Sequence, residues 1–167
     1  DVKTICVVGF PLGASMSTVK AFEAERAVDR GANEIDMVIA IGAIKEKSYL
    51  IAEDDIRAVV VASGDVPVKV ILETGLLSEE EIIAACKSAE SAGAKFVKTS
   101  TGFLGRGASI ADIELMRKSV SKKMQIKASG GIKTFDDAVK LLRAGATRLG
   151  TSSGISLISG QSTTGGY

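Results

Sequence analysis

The stretch "AGAKFVKTSTGF" (92–103) decides how the chain reads. Gly93-Ala94 closes a helical pattern, Phe96 and Val97 begin a buried strand, Lys98 interrupts it, and Thr99, Ser100, Thr101 and Gly102 form a polar loop. The opening of this pattern returns twice, because "RGANEID" (30–36) and "AGATRLG" (144–150) also end a helix on Gly-Ala and enter a strand. Short apolar runs at 3–9, 33–40, 68–73, 95–100, 125–129 and 147–151 alternate with amphipathic stretches at about 17–30, 46–63, 79–92, 109–120 and 135–144. Such alternation predicts βαβ units with right-handed crossovers and a parallel sheet. Strands covered on both faces fit the near-continuous apolar runs.

Helix punctuation supports the assignment. In "SEEEIIAACKSAESAG" (78–93) Ser78 is the N-cap, Glu81 stands at the capping-box position, Ile82, Ile83, Cys86 and Ala89 make the apolar stripe, and Gly93 stops it. "TFDDAVKLLRAG" (134–145) repeats the plan with Thr134 as cap and Asp136 and Asp137 in the first turn. Six βα units can be counted, whereas a (β/α)₈ barrel usually takes about 250 residues. The count leaves a barrel lacking two units, or a smaller doubly wound sheet.

Composition narrows the function classes. At 167 residues, 46% apolar and 25% charged, the chain is sized for one ordinary globular domain. A net charge of +1, two tyrosines and no tryptophan argue against nucleic acid as partner. Cys6 and Cys86 stand far apart and read as buried thiols of a reducing compartment. No leader pattern or bilayer-length apolar run is present, so a cytoplasmic protein is expected, with no membrane partner. Histidine is absent altogether, which removes Ser-His-Asp and Cys-His nucleophile systems and HExxH zinc sites.

In α/β proteins the site lies at the carboxyl ends of the parallel strands. There the sequence offers Asp36, Glu73, Lys98 and Lys127, then "SGG" (129–131) and "GTSSG" (150–154). Glycine-rich turns let backbone N–H groups approach an anion, so the last two loops, with the Ser152 and Ser153 hydroxyls, read as a phosphate site. Two strand lysines projecting into one lumen lower each other's pKa, and burial lowers it further. A neutral amine is a nucleophile towards a carbonyl, which makes a Schiff-base lysine. Lys69, at the start of its strand, reads as structural. Asp36 and Glu73 could instead ligate a divalent metal, but two cations aimed at the same space oppose that.

Six ordered strings carry a resemblance. "VVGFPLG" (7–13), "EIDMVI" (34–39), "VKVILET" (68–74), "FVKTSTGF" (96–103), "KASGGIKT" (127–134) and "GTSSG" (150–154) resemble the deoxyribose-phosphate aldolase family over nearly the whole chain. The resemblance implies an α/β TIM (β/α)₈ barrel, of which residues 1–158 hold about six units, and a flexible tail, 159–167, ending on Tyr167. It implies a class I lyase without cofactor or metal that cleaves 2-deoxyribose 5-phosphate to glyceraldehyde 3-phosphate and acetaldehyde. By match to "KTSTG" Lys98 is the Schiff-base lysine, and by match to "KASGG" Lys127 is the second lysine that depresses its pKa. Asp36 shuttles protons, and Tyr167 assists proton exchange at the enamine carbon. Thr101, Gly102, Gly130, Gly131, Gly150, Ser152 and Ser153 bind substrate and phosphate. A homodimer is a family-level expectation. The family has two further βα units before "VVGFPLG", so the chain is expected to be a portion of a longer protein or to complete itself by association.

Overall fold

A computed structural model describes residues 2–159. The expectations for the tail, Tyr167 included, lie outside the described residues. Six strands run in chain order across one sheet: β1 (Ile5–Val8), β2 (Glu34–Val38), β3 (Val68–Ile71), β4 (Phe96–Lys98), β5 (Gln125–Ser129) and β6 (Arg148–Gly150). Every neighbouring pair is parallel. A doubly wound sheet reverses its strand order at a switch point, and this one never does. The order is that of a barrel wall, open between β1 and β6 among the described residues.

The helices are α1 (Ser17–Asp29), α2 (Ile41–Lys45), α3 (Tyr49–Ser63), α4 (Glu79–Ser91), α5 (Ile110–Ser119), α6 (Phe135–Arg143) and α7 (Gly154–Ser159). The Ser78 hydroxyl accepts from Glu81 N, and the Glu81 carboxylate accepts from Ser78 N at 2.7 Å, closing the expected capping box. Thr134 and Asp137 form a second one. The helical stretch expected from about 46 divides differently: α2 stops where Lys47 turns left-handed at φ 59°, and α3 starts after Ser48. No glycine or proline marks that break, so the pattern alone runs past it.

Strand alternation separates two environments. One side chain row, Met37, Val70, Val97 and Ile126, is aligned by register and packs outward into the helix layer with Ala24, Ile56, Ala85 and Ile113. The opposite face is the lumen, and it carries Asp36, Lys69, Lys98 and Lys127 among apolar neighbours such as Val38, Ile71 and Phe96. Cys86 belongs to the buried layer, and burial pushes its thiol up to about 12. Cys6 departs from expectation: it is only half-buried, because β1 pairs on one side alone and its Ile5 and Val7 are exposed too.

A buried charge pair ties the helices to the wall. Lys20 of α1 donates to Asp55 of α3 at 2.6 Å and to the Val38 carbonyl at 3.0 Å, and both side chains are almost completely buried. Gly9 leaves room for the lysine stem, since a Cβ there would fall 2.8 Å from Lys20 Cε. Removing one partner strands the other charge. Lys20→Ala should lower unfolding free energy by about 3–5 kcal/mol, measured by urea denaturation. The double substitution Lys20→Met/Asp55→Leu should recover most of that loss; an equal loss in both would show that the pair's charge is not the cause.

Candidate functional site

Register brings the lumen charges together. Asp36 lies opposite Lys69, Lys69 lies opposite Phe96, two residues before Lys98, and Lys98 lies opposite Lys127 on the next strand, so all four charges face one side of the sheet. Asp36 is the hub. Its Oδ2 accepts from Lys98 Nζ at 2.8 Å and from Lys127 Nζ at 2.9 Å, while Oδ1 accepts from Lys69 Nζ at 2.8 Å. Lys69 also pairs with Glu34 at 2.6 Å, and Glu34 gathers Arg148 and Lys3. The Phe96 ring lies beneath two of these cations, with Lys69 Nζ 5.6 Å and Arg148 Cζ 4.7 Å from its centroid. Such contacts add stabilisation to desolvated cations.

The electrostatics follow from this packing. Burial opposes ionisation of Asp36, but Coulombic attraction to Lys98 and Lys127 and the Lys69 hydrogen bond overcome it, holding its carboxyl far below the usual range. Glu34 behaves likewise: burial is outweighed by Lys69, Lys3 and Arg148, which hold it at about 2. Lys127 moves down from the ordinary lysine value, through burial first and the charge of Lys98 second, against the attraction of Asp36. Two ammonium groups competing for one carboxylate oxygen is an arrangement that favours giving up a proton.

Above the pair opens a pocket of about 220 Å³. Lys98 and Lys127 form its floor, and Thr101, Gly102, Gly130, Gly131, Gly150 and Ser152 line it, together with Phe103, Ser129, Ile132 and Thr151. Of the expected contacts, Ser153 is not in this lining; its N–H donates to Thr151 Oγ1 at 3.0 Å. Gly130 has a second duty. It meets Gly107 of the preceding loop so closely that a Cβ on Gly107 would fall 2.3 Å from Gly130 backbone, and Ala108 N donates to the carbonyls of Ser129 and Gly130. The loops after β4 and β5 are thereby locked together.

Two contacts of the site depend on alignment between distant segments. Lys69 is a structural residue as its place in the strand suggests, buried between Glu34 and Asp36, and the register that sets it opposite Asp36 lets it hold the second oxygen of that carboxylate. Phe103 forms one pocket wall and meets Phe10 edge-to-face at 5.4 Å, tying the loops after β1 and β4. The two acids weighed as metal ligands are otherwise engaged: both Asp36 oxygens accept from lysines, and Glu73 accepts from Thr101. Among the described residues no group of three or more Cys, Asp or Glu is placed to hold a metal ion.

Comparison with known proteins meets this geometry at the level of family. The profile described as DeoC/LacD family aldolase matches residues 7–160. The chain belongs to this aldolase family. It is 53% identical to a deoxyribose-phosphate aldolase of Streptococcus sanguinis (strain SK36) over all 167 residues, which span 76% of that relative. Among solved structures it resembles a putative deoxyribose-phosphate aldolase from Coccidioides immitis, with a TM-score of 0.91 and 47% identity. That likeness covers 95% of this chain and 64% of the other. The tetrameric deoxyribose phosphate aldolase from Aeropyrum pernix gives a TM-score of 0.84 at 32% identity, covering 95% of this chain and 67% of that one. Each of these three relatives is longer than the present chain.

The lumen network predicts a specific acid response. Glu34 and Asp36 both have folded pKa values below their unfolded ones, so their stabilisation is present above the unfolded values and is lost as pH falls through the folded values. For Glu34 the window runs from its ordinary 4.5 down to about 2. Unfolding free energy measured by denaturant titration should fall steeply across that window, and Glu34→Gln should flatten the slope. A slope unchanged by the substitution would show that Glu34 is not the titrating group.

Proposed function

We propose that this chain carries the catalytic part of a class I aldolase that cleaves 2-deoxyribose 5-phosphate, reversibly, to glyceraldehyde 3-phosphate and acetaldehyde. The observation that carries the reading is the pair Lys98 and Lys127 on one oxygen of Asp36, at the floor of a glycine-lined pocket. Charge supports the substrate class. Lys69, Lys98, Lys127 and Arg148 are four cations facing Glu34 and Asp36, two anions, which leaves the lumen positive for a phosphorylated ligand.

In this reading Lys98 is the nucleophile. Its Nζ adds to the C1 aldehyde of the open-chain sugar, giving a carbinolamine that loses water to an iminium. The C3 hydroxyl then gives up its proton, the C2–C3 bond breaks, and its electrons move into the iminium. Glyceraldehyde 3-phosphate leaves, and the enamine of acetaldehyde stays on Lys98. Protonation at C2 and hydrolysis release acetaldehyde and the free amine. Lys127, whose proton is loosened by burial and by Lys98, and Asp36 move protons at the carbinolamine stage. The amides of Gly130, Gly131 and Gly150 and the hydroxyl of Ser152 hold the phosphate, so binding energy remote from the reacting carbons orients them. Ser153 and Tyr167 keep the substrate and proton-exchange roles implied by the resemblance. A homodimer and a cytoplasmic location are carried as part of the same proposal; sedimentation of the full-length chain tests the first.

Borohydride added with acetaldehyde should leave one ethyl group on Lys98, located by peptide mass spectrometry of the full-length chain. Modification at Lys127 or Lys69 instead would reassign the nucleophile. Lys127→Leu should lower kcat by about 10²–10⁴-fold, the usual contribution of a general acid–base group, while Lys98 remains trappable at long times.

A further inference from the structure

Glu73 bears three costs at one position. It is fully buried. Its backbone is left-handed, at φ 58° and ψ 58°. Its Oε1 has no hydrogen-bond partner among the described residues. The other described non-glycine residue with positive φ is Lys47, which is exposed at the end of α2, a usual place for that conformation. Glu73 stands instead just past β3, on the face where the pocket opens. Strained backbone and unpaired buried groups persist where the surroundings require them, and such positions gather at functional sites.

The remaining oxygen shows what the residue is engaged in. Glu73 Oε2 accepts from Thr101 N at 3.0 Å and from the Thr101 hydroxyl at 2.5 Å. Thr101 Oγ1 in turn accepts from Phe103 N at 3.1 Å. Thr101, Gly102 and Phe103 are consecutive lining residues of the pocket. The main chain on either side is stitched to β4, with Leu72 N donating to Lys98 O and Thr74 N to Thr99 O, each at 2.9 Å. The far end of the loop is pinned separately, where Asp112 accepts from Thr74 Oγ1 at 3.0 Å and from Arg106. Gly102, at the centre of the segment, has φ 89° and open space around it, so it supplies no rigidity of its own.

We infer that Glu73 is a positioning residue for the substrate pocket: its carboxylate holds the Thr101–Phe103 wall at a set distance from the Lys98–Lys127 pair, so that a bound phosphosugar presents its carbonyl to Lys98. The inference rests on the aldolase reading of the pocket. It concerns the sugar and not acetaldehyde, which is too small to need that wall. Glutamate is suited to the task because one carboxylate oxygen can accept both Thr101 donors while its side chain spans from the end of β3 to the next loop.

The test uses the full-length protein and two readouts, KM for 2-deoxyribose 5-phosphate and borohydride trapping of acetaldehyde on Lys98. Glu73→Ala should raise KM about tenfold or more, as expected when the two hydrogen bonds that hold the wall are lost, with Lys98 still labelled by acetaldehyde. Glu73→Gln keeps an oxygen acceptor for Thr101 and should restore most of the KM. Combined with Thr101→Val, the Glu73→Ala effect should be non-additive, since both act on one contact. An unchanged KM in Glu73→Ala, additive effects, or a Gln variant as impaired as Ala would overturn the inference and leave the aldolase reading intact. Failure of the unsubstituted protein to trap acetaldehyde would remove the reading itself. Should Glu73→Ala not fold, Thr101→Val alone must raise KM without shifting the thermal midpoint, and an unchanged KM there overturns the inference equally.

Discussion

Asp36 accepting three lysines is the constraint on which the lumen depends. Each ammonium taken out of water requires an anion, and one carboxylate on β2 serves Lys69, Lys98 and Lys127 at once. The arrangement is stable enough to persist and too poor in anions to satisfy every cation fully. That deficit has two electrostatic consequences. It keeps Asp36 ionised and loosens the proton on Lys127. The Glu34–Lys69–Arg148 contacts below, with the Phe96 ring beneath them, brace the hub from the stability end of the strands.

The wall that positions these groups is itself held by short, specific contacts. Lys20 and Asp55 fasten α1 and α3 to the end of β2. The loops after β4 and β5 touch backbone to backbone at Gly107 and Gly130, and Glu73 reaches from β3 to Thr101. Successive βα units are thus coupled at the face where chemistry would occur. The same logic accounts for the exposure of β1: paired on one side alone, it leaves Ile5 and Val7 partly uncovered, and Cys6 is half-buried with them.

Much of this was legible from residue order. All six strands and the caps at Ser78 and Thr134 follow from local rules of periodicity, capping and glycine placement. Lys98, Lys127 and Asp36 stood out because a charge inside an apolar strand needs a reason. What stayed hidden depends on alignment between distant segments. Lys69 looked like a strand-start residue until register set it opposite Asp36. Glu73 was legible only as an acid at the end of its strand; its left-handed backbone and its contact with Thr101 appear once the chain is folded. Phe103 carried no local signal, and the break between α2 and α3 lacked the glycine or proline that would announce it.

The amino-acid order by itself determined the alternation of strand and helix, the parallel sheet, and which side chains could do chemistry, since hydrophobic period and side-chain type are properties of neighbouring residues. Only the tertiary structure decided that the sheet winds in one direction, that three lysines converge on a single carboxylate oxygen pair, and that Ser153 stands outside the pocket lining. Those outcomes depend on register and on loop packing between residues tens of positions apart, which no local pattern encodes.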